Sequence, residues 1–234
     1  MHWVVDRLTK TYGRFTALSE VTFSVRPGEV LGLIGPNGAG KTTLFACMAG
    51  VLPHDGGVVS ADGTALGPRA RASSLFYLPD AIAPWPSQTV GWALDFTLGF
   101  FGGPAGAKAD IVQRLGLAPL LSAPIGTLSK GQRKRVMLAI GLLTPHPLLL
   151  ADEPFDGLDL RQTREMAAAL RAHAAGGRTL FLSIHQIGDA ARVCDRFVLL
   201  SAGRVCAEGT FTELAQRANV PGPATLEELF LALT

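Results

Sequence analysis

Gly35-Pro36-Asn37-Gly38-Ala39-Gly40-Lys41-Thr42-Thr43 sets three glycines ahead of a lysine and two hydroxyls. Glycine, four residues, then Gly-Lys-Thr is the spacing of a loop that cradles phosphates. The reason is geometric: glycines permit the chain path along which successive backbone N–H groups converge on one anion. Lys41 adds a mobile cation for the outer phosphates, and the Thr42 hydroxyl is a hard oxygen donor of the kind Mg²⁺ prefers. Further along, Asp152 and Glu153 close the apolar run Leu148-Leu149-Leu150-Ala151. Asp152 is suited to hold Mg²⁺ through water. Glu153, turned another way by the alternation of strand side chains, is suited to orient or deprotonate an attacking water. Together these groups predict hydrolysis of a phosphate anhydride.

Such a set must be positioned by a frame. Residues 30–34, ahead of the loop, read as a buried strand, and 41–50 as a helix whose positive end faces the loop. Beyond Pro145 the pattern alternates: strands at 148–151, 179–183 and 197–200, helices at 161–174 and 187–192. That alternation predicts parallel βαβ units with the ligand at the carboxyl ends of the strands. Strands are also expected at 3–8, 17–25, 58–61, 75–78 and 205–207, with helices at 211–217 and 225–234. Residues 84–144 differ in character. Prolines and glycines cut them into short pieces, with helices at 90–97, 108–115 and 119–121 and another starting near Ser129, so they read as a helical insertion between two strands of one sheet. Ser129 is a natural cap for that last helix, and Gly131 leaves room for backbone to approach an anion.

Composition narrows the class. The 234 residues are 48% hydrophobic and 17% charged, which suits a folded globule and excludes general disorder. The net charge of +2, with no long basic run, makes no case for nucleic acid. Three scattered cysteines, Cys47, Cys194 and Cys206, suit free thiols rather than a disulfide framework. No apolar run approaches the roughly 18–20 residues of a spanning helix. The opening residues hold no basic segment followed by an apolar one, so no secretory leader is expected.

Over nearly its whole length the chain resembles the ATP-binding subunits of ATP-binding-cassette (ABC) transporters. The phosphate loop from Gly35 to Thr43 is joined by Leu128-Ser129-Lys130-Gly131-Gln132, which matches the family's signature loop, usually Leu-Ser-Gly-Gly-Gln. Asp152 and Glu153 match its metal-binding strand end and catalytic glutamate, Gly157-Leu158-Asp159 the loop that crosses the dimer, and His185 the switch histidine. Tyr12 matches the aromatic that stacks on adenine. The resemblance implies one ABC ATPase domain over 1–234: an α/β P-loop NTPase core with a mainly parallel sheet, an antiparallel β subdomain, a helical subdomain at 84–144 and a short tail at 219–234. It implies ATP and Mg²⁺ as cofactors. It also implies a second cassette, a copy or a relative, whose Ser129, Lys130, Gly131 and Gln132 cover the ATP in trans. Separate transmembrane subunits are implied too, placing the protein on the cytoplasmic face of the inner (plasma) membrane.

Two departures from the family pattern stand out. Lys130 replaces the first glycine of the signature pair, adding a cation near an anionic ligand. Asp80, after Phe76-Tyr77-Leu78-Pro79, stands where the family places a glutamine that contacts Mg²⁺. Its carboxylate can still offer oxygen to the metal, at the cost of a charge near the phosphates and Glu153. A competing alignment gives that role to Gln88.

The leading reading is a transport ATPase subunit, with export favoured by Asp80 and the short tail, and with Trp85, Trp92, Phe96, Phe100 and Phe101 as the docking surface. A soluble ABC ATPase working on ribosomes or DNA is the alternative; such proteins usually carry two cassettes or long coiled coils. A small-molecule kinase would leave the signature loop and His185 without a role. The cargo is not written in this chain.

Overall fold

The computed structural model describes residues 1–104, 106–185, 187–219 and 224–234. Burial alternates along strand β1 (Trp3–Tyr12), with Trp3, Val5 and Leu8 inward, as expected of a strand with one face on a core. It pairs antiparallel with β2 (Phe15–Val25), and the hairpin closes with Tyr12 opposite Phe15. Both strands run further than expected, because an antiparallel hairpin accepts the polar residues near its turn. Next come β3 (Val30–Ile34), α1 (Lys41–Ala49), β4 (Gly56–Ala61), β5 (Thr64–Ala65), α2 (Pro68–Ser74) and β6 (Leu75–Leu78). β5 and α2 were not expected. The first is a two-residue pairing on β4, and the second has no apolar period, only Pro68 at its opening position.

Between β6 and β7 (Leu148–Asp152) lie α3 (Val90–Phe101), α4 (Ala107–Arg114), two 3₁₀ turns (Ala118–Leu120 and Ile125–Thr127) and α5 (Lys130–Leu143). The chain continues with α6 (Leu160–Ala175), β8 (Thr179–Ile184), α7 (Ile187–Val193), β9 (Arg196–Ser201), β10 (Arg204–Gly209), α8 (Phe211–Ala218) and α9 (Leu226–Leu233). Part of the expected tail, 220–223, lies outside the described residues.

Two sheets result. One is antiparallel, in the order β2-β1-β4-β5; the other runs β10-β9-β3-β8-β7-β6, parallel throughout except for β10 at its edge. The large sheet has a core on each face. Leu31 and Leu33 of β3 and Leu148 and Leu150 of β7 face α1 and the antiparallel sheet, packing with Trp3, Phe45 and Phe181. Val30, Ile34, Leu149 and Ala151 face the other way, into a core shared with α3, α5 and α6. This two-sided burial is why the parallel strands read as continuous apolar runs. Among the described residues no helix is long and apolar enough to cross a membrane.

Candidate nucleotide site

The carboxyl end of β3 leads into the glycine loop, and β7 and β8 end beside it. Close packing explains two of the glycines. A Cβ on Gly35 would stand 2.3 Å from the Leu200 carbonyl oxygen, and one on Gly40 would stand 2.8 Å from that of Ala17. Gly40 also has φ +105°, in the left-handed region that disfavours other residues. As the cap of α1 it offers no side-chain hydrogen bond, so the first amides of that helix remain free for an anion. The loop is pinned from behind, where the Gly203 amide donates to the Ala39 carbonyl at 3.0 Å.

The cleft in front of this loop has a volume of about 390 Å³ and is lined by Phe15, Pro36, Asn37, Gly38, Gly40, Lys41, Thr42, Thr43, Asp80 and Glu153. A larger cleft of about 510 Å³ lies elsewhere, between α4, α5 and α6. Two of its arginines, Arg114 and Arg161, already pair with Asp110 and Glu165, and no glycine loop faces it.

Thr42 Oγ1 donates to Asp152 Oδ2 at 2.7 Å. Asp152 is 2% exposed and its other oxygen accepts from the Ser183 hydroxyl. Two hard oxygen donors from different elements thus meet where Thr42 lines the cleft, a donor set that fits Mg²⁺. Among the described residues no cluster of three or more His, Cys, Asp or Glu forms a metal cage.

Glu153 differs from expectation in how it is aimed. Strand β7 runs through Asp152, and Glu153 leaves it with φ +51°, so a left-handed turn, not strand alternation, points this carboxylate. A non-glycine residue held there costs on the order of 1–3 kcal/mol. Its amide is held by Ser183, donating to the carbonyl at 3.2 Å and the hydroxyl at 3.0 Å. One carboxylate oxygen lies 3.3 Å from Lys41 Nζ and the other contacts His185 Nδ1. Lys41 also donates to the carbonyls of Gly35 at 2.8 Å and Pro36 at 3.3 Å. Lys41 and Glu153 therefore stand together in the cleft lining, and His185 reaches Glu153 from beside it.

The signature residues stand elsewhere. Ser129 caps α5, with its hydroxyl accepting from the Gln132 amide at 3.3 Å and the Gln132 side chain returning a bond. Lys130 pairs with Asp156, and this bond holds the Asp156 carboxyl below the usual carboxylate range. A Cβ on Gly131 would lie 2.7 Å from the Gly157 carbonyl oxygen, so the signature loop packs on the turn before α6. Asp159 caps α6, accepting from the Gln162 amide at 2.8 Å. None of the described residues lining the cleft belongs to 128–132 or 157–159.

Tyr12 is also absent from that lining, whereas its hairpin partner Phe15, 64% exposed, is present. Asp80 lines the cleft, but one of its oxygens accepts from Lys134 Nζ at 2.5 Å. Gln88 lies outside the lining, its carbonyl accepting from the Ile125 amide at 2.9 Å. Three residues of this neighbourhood escaped the sequence reading. Ser183 is a hydroxyl near the end of a mostly apolar strand, placed opposite Asp152 by the parallel register. Lys134 is a buried cation on an otherwise apolar helix face, and Phe15 is hidden in a hairpin.

Residues 18–156 match the ABC transporter family. The chain belongs to that family. The cassette is 30% identical over 218 residues to the linearmycin resistance ATP-binding protein LnrL of Bacillus subtilis (strain 168), spanning 91% of this chain and 70% of that one. It is 34% identical over 210 residues to the Nod factor export ATP-binding protein I of Paraburkholderia xenovorans (strain LB400), spanning 87% and 69%. A solved structure of the ATP-binding subunit of an ABC transporter superposes on it with a TM-score of 0.89, at 30% identity, over 100% of this chain and 99% of that one. The cassette is an ATP-binding, ATP-hydrolysing subunit of an ABC transporter.

Proposed function

We propose that the cassette works as one of a pair, each member covering the other's ATP, and that the pair drives export through separate membrane subunits. The observation that carries the pairing is the split geometry: Lys41, Thr42 and Glu153 line one cleft, with Asp152 bonded to Thr42 and His185 in contact with Glu153, while the Ser129 to Gln132 loop neither lines it nor touches these groups. A second copy, or a related cassette, supplies that loop. Residues 1–234 act as one ABC ATPase domain, with 84–144 as its helical subdomain.

Within each site the backbone amides of the glycine loop and the start of α1 bind the phosphates, and Lys41 neutralises the outer ones. Thr42 and Asp152 would hold Mg²⁺, whose charge offsets that of the phosphate oxygens. Glu153 orients the attacking water and accepts its proton, with His185 fixing the carboxylate that does so. Phe15 and Tyr12, opposite one another in the hairpin, form the platform for the adenine.

Docking is assigned to the exposed aromatic stack formed by Trp85, Trp92, Phe96 and Phe100, with ring centroids 5.0 to 6.1 Å apart. Phe101, grouped with them from the sequence, turns inward against Phe76 and His146. Large exposed apolar groups in contact mark an interaction surface. The names of the two relatives, one for linearmycin resistance and one for Nod factor export, favour outward transport and a peripheral place on the cytoplasmic face of the membrane. Replacing Trp92 and Phe96 together by glutamate is expected to release the protein from membranes in co-sedimentation while ATP binding persists. Unchanged sedimentation would remove the aromatic stack as the docking surface, and absence of the native chain from membranes would remove the membrane partner.

A further inference from the structure

Lys134 is 8% exposed, and the chemistry above leaves it without a role. It lies one turn beyond Lys130 on α5, and its ammonium reaches out of the helical segment into the ATP-binding core. Nζ donates to Asp80 Oδ1 at 2.5 Å and to the main-chain carbonyl of Asp152 at 3.2 Å. Three elements meet at this one nitrogen: α5, the segment after β6, and the last residue of β7. Asp80 has the open side of the pair, with its side chain 43% exposed and lining the cleft.

The charges decide what each partner would do alone. A lone carboxylate at this wall opposes a triphosphate and favours a divalent cation, and a lone ammonium does the reverse. Paired, they nearly cancel. An ammonium this deep is costly to hold without its counter-ion, so the two residues act as a unit.

We propose that Lys134 and Asp80 form a charge-balanced positioning pair that sets how strongly nucleotide binding depends on Mg²⁺, while Lys134 steadies the end of β7 through the Asp152 carbonyl. Asp80 is thereby held by Lys134 and is not offered to the metal as a free ligand. The proposal rests on the ATP-binding reading of the cleft.

Calorimetric titration of the full chain with ATP, once in EDTA and once in excess Mg²⁺, gives the ratio of the two dissociation constants. Lys134→Gln exposes an unbalanced carboxylate, weakens metal-free binding and raises that ratio by roughly threefold to tenfold. Asp80→Asn leaves an unbalanced cation and lowers it by a similar factor, and the double variant returns it to within about twofold of the native chain. A purely structural role would lower Tm and move both constants alike, leaving the ratio fixed; that result overturns the proposal, as does a shift of the same sign in both single variants. Asp80 is partly exposed, so Asp80→Asn alone decides the matter if Lys134→Gln does not fold: an unchanged ratio refutes the pair. A native chain that binds no ATP in either buffer would overturn the ATP-binding reading itself, and the proposal with it.

Discussion

Ser183 carries no charge, yet it touches both acids of the site. Its hydroxyl donates to Asp152 and accepts from the Glu153 amide, so one buried oxygen sets the proposed metal ligand and the start of the turn that aims the proposed base. Groups that orient a ligand in this way contribute about tenfold to a hundredfold in metal affinity or activity when removed. Ser183→Ala is therefore expected to raise the Mg²⁺ concentration for half-maximal ATPase activity by roughly tenfold, with a small change in Tm. An unchanged Mg²⁺ requirement would leave Ser183 as a packing residue only. At this scale chemistry and spacing single out Lys41, Thr42, Asp152 and Glu153, and the fold brings them together in two contacting pairs. The sequence was silent where a neighbour arrives through the fold. Asp152 and Ser183 meet because β7 and β8 pair in one register, which spacing along the chain does not reveal.

Elements explain why the phosphate loop is so exacting. Gly35 sits against the Leu200 carbonyl of β9, at a distance no Cβ could tolerate. Gly35→Ala must push β9 from β3 or bend the loop, so a loss of stability of about 1–3 kcal/mol and loss of detectable ATP binding are expected together. Urea unfolding and nucleotide titration measure the two; retention of native ATP affinity would show that the loop can shift freely. The strands were legible because a parallel sheet covered on both faces demands near-continuous apolar runs, as in Val30–Ile34 and residues 148–151 of β7. Helix α2 was not legible, since a short element with one buried side chain, Arg71, leaves no periodic signal. Helix α3 passes its expected end at Thr97 because Gly99 is accommodated within it, and only Gly102, left-handed at φ +71°, stops it.

At the scale of the whole molecule, half-buried histidines give the stability a pH dependence. Burial pushes His146 below the ordinary histidine range, where it packs between Phe76 and Phe101, and burial does the same to His173. The unfolded chain takes up these protons near pH 6.5, whereas the folded chain resists them, so stability is complete above that pH and declines as pH falls through it. Tm is expected to fall between about pH 7.5 and 5.5, and His146→Phe, which keeps the ring contacts, is expected to flatten part of that fall. A pH profile identical in the variant would place the sensitivity elsewhere. Burial also pushes the Cys47 thiol up to about 11 and the Cys194 thiol higher still, in keeping with the free cysteines expected from their spacing.

The largest feature of the molecule is that its glycine-loop cleft and its signature loop occupy different places on one chain. The pairing proposed from this is tested most directly by mixing two inactive variants. Lys41→Ala disables the cleft of its own chain, and Ser129→Arg disables the loop that chain lends to its partner. Each alone is expected to hydrolyse almost no ATP, while the mixture regains activity, because a mixed pair holds one intact cleft facing one intact loop. A mixture as silent as its components, or a Ser129→Arg chain that hydrolyses ATP at the native rate, would contradict the account.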